Sequence, residues 1–352
     1  MAKRLDFSKL SRKNIRSLRP YEAKETPCRV KLDANESPYA PFPLEEWKER
    51  ALSLNRYPDP NAGELKRRIS RAFSVRPEEV LLGNGSDELI YCLITAFGGP
   101  VFYPVPTFSM YGIIAQALGA EHRGIPLDGE FDLDREKMLA AVKEGRPSLL
   151  FLSSPNNPTG NCFSTDKILR IVEASKGIVV VDEAYQPFSS ERGFLPFLKD
   201  YPNLVVLRTL SKIGFASLRV GFMMADRGLI AEVNKVRLPF NINGISQAVA
   251  AEAFKRRRAV QAAVRSVIAE RERLSAALRT FEGVTPYPSE ANFVLMTVKD
   301  AEAVHRKLQK AGVLVRNLSG AIKGALRVTV GTPEENTLFL EALKKAVGRK
   351  KR

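Results

Sequence analysis

The sequence predicts an α/β protein: a large domain with a mostly parallel central sheet flanked by helices, plus a smaller α+β domain. Three observations predict it. Apolar runs of strand length alternate with helical patterns through the middle of the chain, as a parallel sheet buried on both faces requires. One such strand passes through a glycine-containing turn into a helix. After about residue 245 the pattern changes to long basic amphipathic stretches and a short strand-helix ending. Length agrees, because 352 residues suggest two domains or one large domain with a smaller lobe.

The elements follow in order. The first forty-odd residues read as loop, with prolines at 20, 27, 38, 41 and 43, and must be pinned to the smaller lobe or to a partner subunit. "VLLGNGSDELIYCLITAF" (80–97) reads as strand, turn and helix. Ser86 can cap that helix, and Leu89, Ile90, Leu93, Ile94 and Phe97 form its buried stripe. "SLLFLSS" (148–154), "GIVVVDE" (177–183) and "NLVVLRT" (203–209) are short apolar strands. Between the first two, "STDKILRIVEAS" (164–175) carries Ile168, Ile171 and Val172 on one helix face. Near the end, "GALRVTVGTPEENTLFLEAL" (324–343) gives a strand, then Thr332 as N-cap, Pro333 behind it and Glu335 completing a capping box. The expected division is an N-terminal arm with part of the small domain (1–46), a large domain (47–244), and a linker helix with the C-terminal small domain (245–352).

Composition narrows the function classes. The balance of 44% hydrophobic and 27% charged residues is ordinary for a soluble globular protein. No apolar run approaches the roughly 20 residues of a membrane span, and the basic, polar N-terminus lacks a signal-peptide core. Three cysteines (Cys28, Cys92, Cys162) without metal-like spacing argue against a disulfide framework and fit a reducing cytoplasm. Two histidines leave little material for a histidine-rich metal site or a Ser-His-Asp triad, and no metal is expected. The net charge of +16 attracts anions, from nucleic acid to phosphorylated or carboxylated metabolites. No zinc-finger, RNP-like or aromatic-interleaved basic motif accompanies that charge, so nucleic-acid binding rests on charge alone.

Chemistry collects where the apolar strands end. "FLSSPNNPTG" ends with Asn157, "VVVDEAY" with Asp182 and Tyr185, and "VLRTLSK" with Lys212. In open α/β sheets, ligands bind outside those ends. Singly, each residue has a plain reading as turn, cap or surface charge. Together they match a pyridoxal 5'-phosphate site: a lysine for the Schiff base, a carboxylate for the ring nitrogen, donors for the phenolic oxygen, and an anion cup for the phosphate. Lowering a lysine from about 10.4 to about 7–8 amounts to roughly 4 kcal/mol of differential stabilisation. Apolar surroundings and a neighbouring cation act in that direction, and "SKIGFASLR" offers both.

In order along the chain, "GNGSDE", "PTFSMY", "SPNNPTG", "VVDEAY" and "RTLSKIGFASLRVGF" resemble the motifs of the fold-type-I pyridoxal-phosphate aminotransferases. "RPYEA", "KLDANESPY", "NRYPDP", "LPFNIN" and "GVLVRN" make the chain similar to the histidinol-phosphate aminotransferase family, over nearly its whole length. The resemblance implies Lys212 as Schiff-base lysine and proton shuttle, Asp182 on the pyridinium, and Asn157 and Tyr185 as donors to O3′. It implies Phe108, where many relatives have tyrosine, stacked on one face of the ring and Ala184 on the other. Gly85, Ser86 and Asp87 would open the phosphate-binding helix, Asp87 through its backbone because its charge repels the dianion. Thr209, Ser211 and Arg219 would complete the cup. Arg219 lies seven residues after Lys212, where many relatives have eight, and the shorter connector can reroute the loop.

By the same resemblance, Tyr57 reaches the phosphate of a neighbouring subunit, which implies a homodimer with shared active sites. Arg327 would hold the glutamate carboxylate, Arg316 and Tyr21 the phosphate of histidinol phosphate, and Asn35 would line the pocket. Guanidinium forks suit both anions. The implied reaction is ping-pong transamination between L-glutamate and imidazole acetol phosphate, giving 2-oxoglutarate and L-histidinol phosphate. A broad aromatic or acidic amino-acid aminotransferase and a threonine-phosphate decarboxylase reuse such a site, and a basic nucleic-acid-binding protein that merely keeps the fold is the reading from another class.

Overall fold

A computed structural model describes residues 11–18, 26–43 and 55–348. Among them, seven strands build one sheet: β2 (Val80–Asn84), β3 (Val101–Val105), β4 (His122–Pro126), β5 (Leu149–Ser153), β6 (Ile178–Asp182), β7 (Leu204–Thr209) and β8 (Val220–Ala225). Their spatial order is β2-β8-β7-β6-β5-β3-β4. β4, β3, β5, β6 and β7 run parallel, and β8 runs antiparallel between β7 and β2. The central sheet is therefore mostly parallel, in line with the sequence.

Helices cover both faces: α2 (Gly63–Phe73), α3 (Gly85–Phe97), α4 (Met110–Leu118), α5 (Arg135–Gly145), α6 (Thr165–Ala174), α7 (Arg227–Asn234) and α8 (Gly244–Lys255), with the single turn α1 (Lys13–Arg16) before them. The strand residues show why these strands read as continuous apolar runs. Leu150, Leu152, Val179, Val181, Leu204 and Val206 pack into a core with Leu65, Met138, Ile168 and Val249 of α2, α5, α6 and α8. Their alternates Leu149, Phe151, Val180, Val205 and Leu207 pack into another with Leu89, Tyr111 and Ile230 of α3, α4 and α7. A period of two buried on both faces leaves no polar positions.

The second sheet has the order β1-β11-β12-β10-β9. Its members are β1 (Val30–Leu32), β9 (Val284–Pro286), β10 (Phe293–Val298), β11 (Val313–Asn317) and β12 (Ala325–Thr329). It packs with α9 (Arg257–Arg279), α10 (Ala301–Lys310) and α11 (Pro333–Val347) around a third core. β1 pairs in parallel with β11, so part of the proline-rich arm is a strand tied to this sheet. A different part caps the large sheet's α4: Asn14 Nδ2 donates to the Gln116 carbonyl at 2.8 Å and the Ala117 carbonyl at 3.1 Å, and Arg12 also reaches the Ala117 carbonyl. These acceptors are last-turn carbonyls, which the helix leaves with spare acceptor capacity; the Gln116 carbonyl also accepts from the Gly119 amide at 3.0 Å.

Two local readings are settled here. The capping box of α11 is present, with Thr332 Oγ1 accepting from the Glu335 amide. Ser86, by contrast, does not cap α3. The helix starts at Gly85 with Asn84 at the cap position, so Ser86 lies inside the first turn. The long basic stretch divides into α8 and α9 at Arg256. No helix among the described residues is long and apolar enough to cross a membrane.

Candidate active site

Sheet connectivity creates the crevice. From β3 the chain goes outward to β4, then returns to β5 on the other side and proceeds to β6 and β7. The loops after β3 and β5 therefore part company, which opens space above the strand ends. Phe108 follows β3, Asn157 follows β5, Asp182 ends β6, and Lys212 follows β7. Sequence reasoning named all of these, and the topology brings them to one edge.

Asp182 is 3% exposed. Its Oδ1 accepts from the Ala184 amide at 3.1 Å and its Oδ2 from the Tyr111 hydroxyl at 2.7 Å. Burial pushes its pKa from 3.8 up to about 6, with the charges of Asp87 and Glu183 adding in that direction and the two hydrogen bonds opposing. A carboxylate held in so dry a place is poised for a cationic partner. Ala184 and Tyr185 follow it, both buried. The half-buried Lys212 brings its Nζ to 5.8 Å from the centre of the Tyr185 ring.

One amide and one guanidinium fix the direction of two donors. Asn35 Nδ2 donates to the Tyr185 hydroxyl at 2.9 Å, so that oxygen accepts and its own hydrogen is left to donate elsewhere. Arg327 Nη1 donates to Asn157 Oδ1 at 2.5 Å. Guanidinium has no acceptor, so this contact assigns the oxygen to that side and turns the Asn157 NH2 group away from Arg327. Arg327 also donates to the Asp33 carbonyl at 2.8 Å and lies over Phe293. It thereby ties β12 of the second sheet to the loop after β5 of the first.

Asn35 itself is 1% exposed and adopts a left-handed backbone (φ 53°). Its amide donates to Thr329 Oγ1 at 3.0 Å, and Asn292 Nδ2 donates to its carbonyl at 3.0 Å. Its side chain is thus committed to Tyr185. Arg316 is exposed and stands directly opposite Arg327 in the antiparallel register, on the same sheet face. Like charges directly opposite repel, so an anion between them would relieve the pair.

The residues expected to form an anion cup gather at the start of α3. Ser211 donates its amide to Thr209 Oγ1 at 3.1 Å, and Thr209 Oγ1 lies 2.9 Å from Ser211 Oγ. Arg219 Nη1 reaches Ser211 Oγ at 3.5 Å despite the shortened connector. That connector closes through a short 3-10 turn, Ala216–Leu218, after which Arg219 takes a left-handed conformation (φ 51°). Gly85 (φ 77°) donates its amide to the Arg219 carbonyl at 2.6 Å. A Cβ on Gly85 would sit 2.5 Å from Arg219 Nη2, and one on Gly221 would sit 2.4 Å from the Ser86 nitrogen, so only glycines allow this close approach. The Asp87 carboxylate pairs with Arg219 Nη2 at 3.1 Å, which answers its awkward charge.

Two predicted residues stand apart. Tyr57 is 81% exposed and stacks on Phe240 at 4.6 Å. Tyr21 lies outside the described residues. Sequence reasoning missed Tyr111, although "PTFSMY" places it one helical turn after Phe108, and their rings meet edge to face at 5.5 Å. It also missed Thr329, two residues after Arg327 and therefore on the same face of β12.

The residues fit a pyridoxal phosphate: a buried carboxylate, a lysine, two oriented donors, and a cup that a Cβ would fill. Comparison with known proteins agrees. The family described as aminotransferase class I and II matches residues 29–343. Histidinol-phosphate aminotransferase 2 of Nitrosococcus oceani is 45% identical over 96% of this chain and 97% of its own length. The histidinol-phosphate aminotransferase of Aquifex aeolicus is 45% identical over 95% and 97%. The solved histidinol-phosphate aminotransferase from Clostridium acetobutylicum shares the fold, with a TM-score of 0.84 over 90% of this chain and 98% of that one at 24% identity. Matched over nearly its whole length, the chain belongs to the class I and II aminotransferases, among the histidinol-phosphate aminotransferases.

Proposed function

We propose that the enzyme uses pyridoxal 5'-phosphate to transfer an amino group from L-glutamate to imidazole acetol phosphate, forming 2-oxoglutarate and L-histidinol phosphate in histidine biosynthesis. The observation that carries this reading is Arg327, reaching from β12 to Asn157 beside the strand ends. It sets an anion holder against the cofactor residues. Arg316 opposite it supplies a second cation for the phosphate ester of one substrate or the carboxylates of the other. The names of the relatives support the same pair of substrates.

The cofactor, once bound, supplies an electron sink for the bond broken at the substrate's α-carbon. The chain's own residues do the rest. Lys212 would hold the cofactor covalently and carry the proton taken from the α-carbon. Asp182 would meet the ring nitrogen as an anion, a charge-assisted contact of about 1.5–3 kcal/mol. Tyr185 and Asn157 would donate toward O3′ with the hydrogens that Asn35 and Arg327 leave free. Phe108 and Ala184 would bracket the ring. The amides of Gly85, Ser86 and Asp87, with Thr209, Ser211 and Arg219, would hold the phosphate.

Our reading assigns a homodimer in the cytoplasm, with Tyr57 contributed to the partner's cup. The exposed Tyr57–Phe240 stack and exposed Leu238 and Ile245 support an apolar contact there. Free Cys28, Cys92 and Cys162 support a reducing compartment. We also take 47–244 as the large domain, with 1–46 and 245–352 as its flanks. Subunit mixing tests the shared site. A Tyr57→Ala chain and a Lys212→Ala chain, each inactive alone, regain activity when mixed, and failure to regain it removes the exchange.

The reaction is tested by titration. Glutamate should convert the visible band of the purified enzyme, and imidazole acetol phosphate should restore it. A band insensitive to glutamate, or carbon dioxide release from threonine phosphate, overturns the assignment.

A further inference from the structure

Tyr111 closes the "PTFSMY" stretch after β3, and it is completely buried with its hydroxyl on the carboxylate at the heart of the site. Its ring stacks on Phe151 at 4.9 Å with an 11° interplanar angle. A phenylalanine would fill that slot equally well. Burying a hydroxyl is unfavourable unless it is hydrogen-bonded, so the phenol, rather than the ring, needs a reason. Its bond to Asp182 Oδ2 at 2.7 Å supplies one. With the Ala184 amide on Oδ1, each carboxylate oxygen has its own donor, one from α4 and one from the backbone after β6.

We propose that Tyr111 is a positioning residue for transamination: its phenol fixes the plane of the Asp182 carboxylate and holds it ionised for the cofactor's ring nitrogen. The proposal rests on the function assigned above. The groups that face Asp182 divide into two sets. Asp87 on α3 and the adjacent Glu183 favour its protonation by charge, as burial does. Tyr111 and the Ala184 amide oppose them. Tyr185 stands near the same pair, its influence falling on the Tyr111 phenol. Without the phenol, three protonating influences face one remaining donor.

The test is Tyr111→Phe, read first in the protein stripped of cofactor. Carboxyl-carbon NMR of 13C-labelled aspartate follows the Asp182 resonance, identified by its loss in Asp182→Asn. The expected midpoint rises by about one to two pH units, the equivalent of one charge-assisted hydrogen bond. With cofactor, affinity should fall roughly tenfold or more at pH 6.5 and recover toward pH 8.5 as Asp182 ionises. A merely structural tyrosine would lower the melting temperature and leave the midpoint in place. An unchanged midpoint in a folded Tyr111→Phe protein overturns the proposal. Should that variant not fold, 3-fluorotyrosine installed at position 111 keeps the packing and strengthens the donor. It should lower the midpoint, and no change there overturns the idea equally. If the unaltered protein binds no cofactor, the assigned function fails instead. The midpoint, measured without cofactor, separates the two outcomes.

Discussion

Replacing Asp182 by asparagine should stabilise the protein stripped of cofactor while ending its catalysis. Burial pushes this carboxyl from 3.8 up to about 6. The folded state then binds more protons than the unfolded chain between those two values. Stability therefore falls as pH rises through that window, and the loss is complete above it. A shift of about two units corresponds to about 3 kcal/mol missing at neutral pH. Asparagine has the same shape and no charge. Its oxygen can still accept from the Ala184 amide, and its NH2 can donate to the Tyr111 oxygen. Urea denaturation of the two cofactor-free proteins, from pH 4 to pH 8, measures the difference. We expect Asp182→Asn to be more stable by about 1–3 kcal/mol at pH 7.5, with the gap closing toward pH 4. Transamination should be lost. A variant that is no more stable at pH 7.5, or a gap that widens on acidification, refutes the reasoning. The underlying idea is that a site built for chemistry is held at the expense of stability.

Other predictions follow from contacts. Gly221→Ala would press a Cβ against backbone atoms of Gly85 and Ser86, at 2.6 and 2.4 Å. It should lose about 1–3 kcal/mol of stability and weaken cofactor binding, whereas Gly129→Ala, with nothing within 4 Å, should be neutral. Denaturation and a fluorescence titration check both. Arg327→Lys removes the fork that serves Asn157 and Asp33. KM for glutamate should rise roughly 10- to 100-fold, with a smaller effect on cofactor affinity, and unchanged steady-state constants would exclude Arg327 from substrate binding.

Much of this was legible in the sequence for definite physical reasons. Strands β5, β6 and β7 are buried on both faces, so each announces itself as an apolar run, and polar residues at their ends stand out. The Thr332–Glu335 cap is local, and so is the α6 stripe of Ile168, Ile171 and Val172. What could not be read depends on long-range pairing. β1 finds β11 across most of the chain, and Arg327 meets Asn157 at a separation of 170 residues. Nothing local in the sequence sets the Tyr111 hydroxyl apart, because its ring packs in the core and its partner, Asp182, comes from β6, 71 residues on. Ser86 misled for a simpler reason. The turn is so tight at Gly85 that the helix has already begun there, one residue before the hydroxyl. The commitment of Asn35 to Tyr185 likewise needed a left-handed backbone that composition does not reveal.

The central claim is that Lys212 carries the cofactor covalently at the edge of the large sheet. Borohydride reduction of the purified enzyme, followed by proteolysis and mass spectrometry, tests it directly. The account predicts a reduced pyridoxyl phosphate mass on the peptide containing Lys212 and none in Lys212→Ala. Attachment to another lysine, or full labelling of the alanine variant, would contradict it.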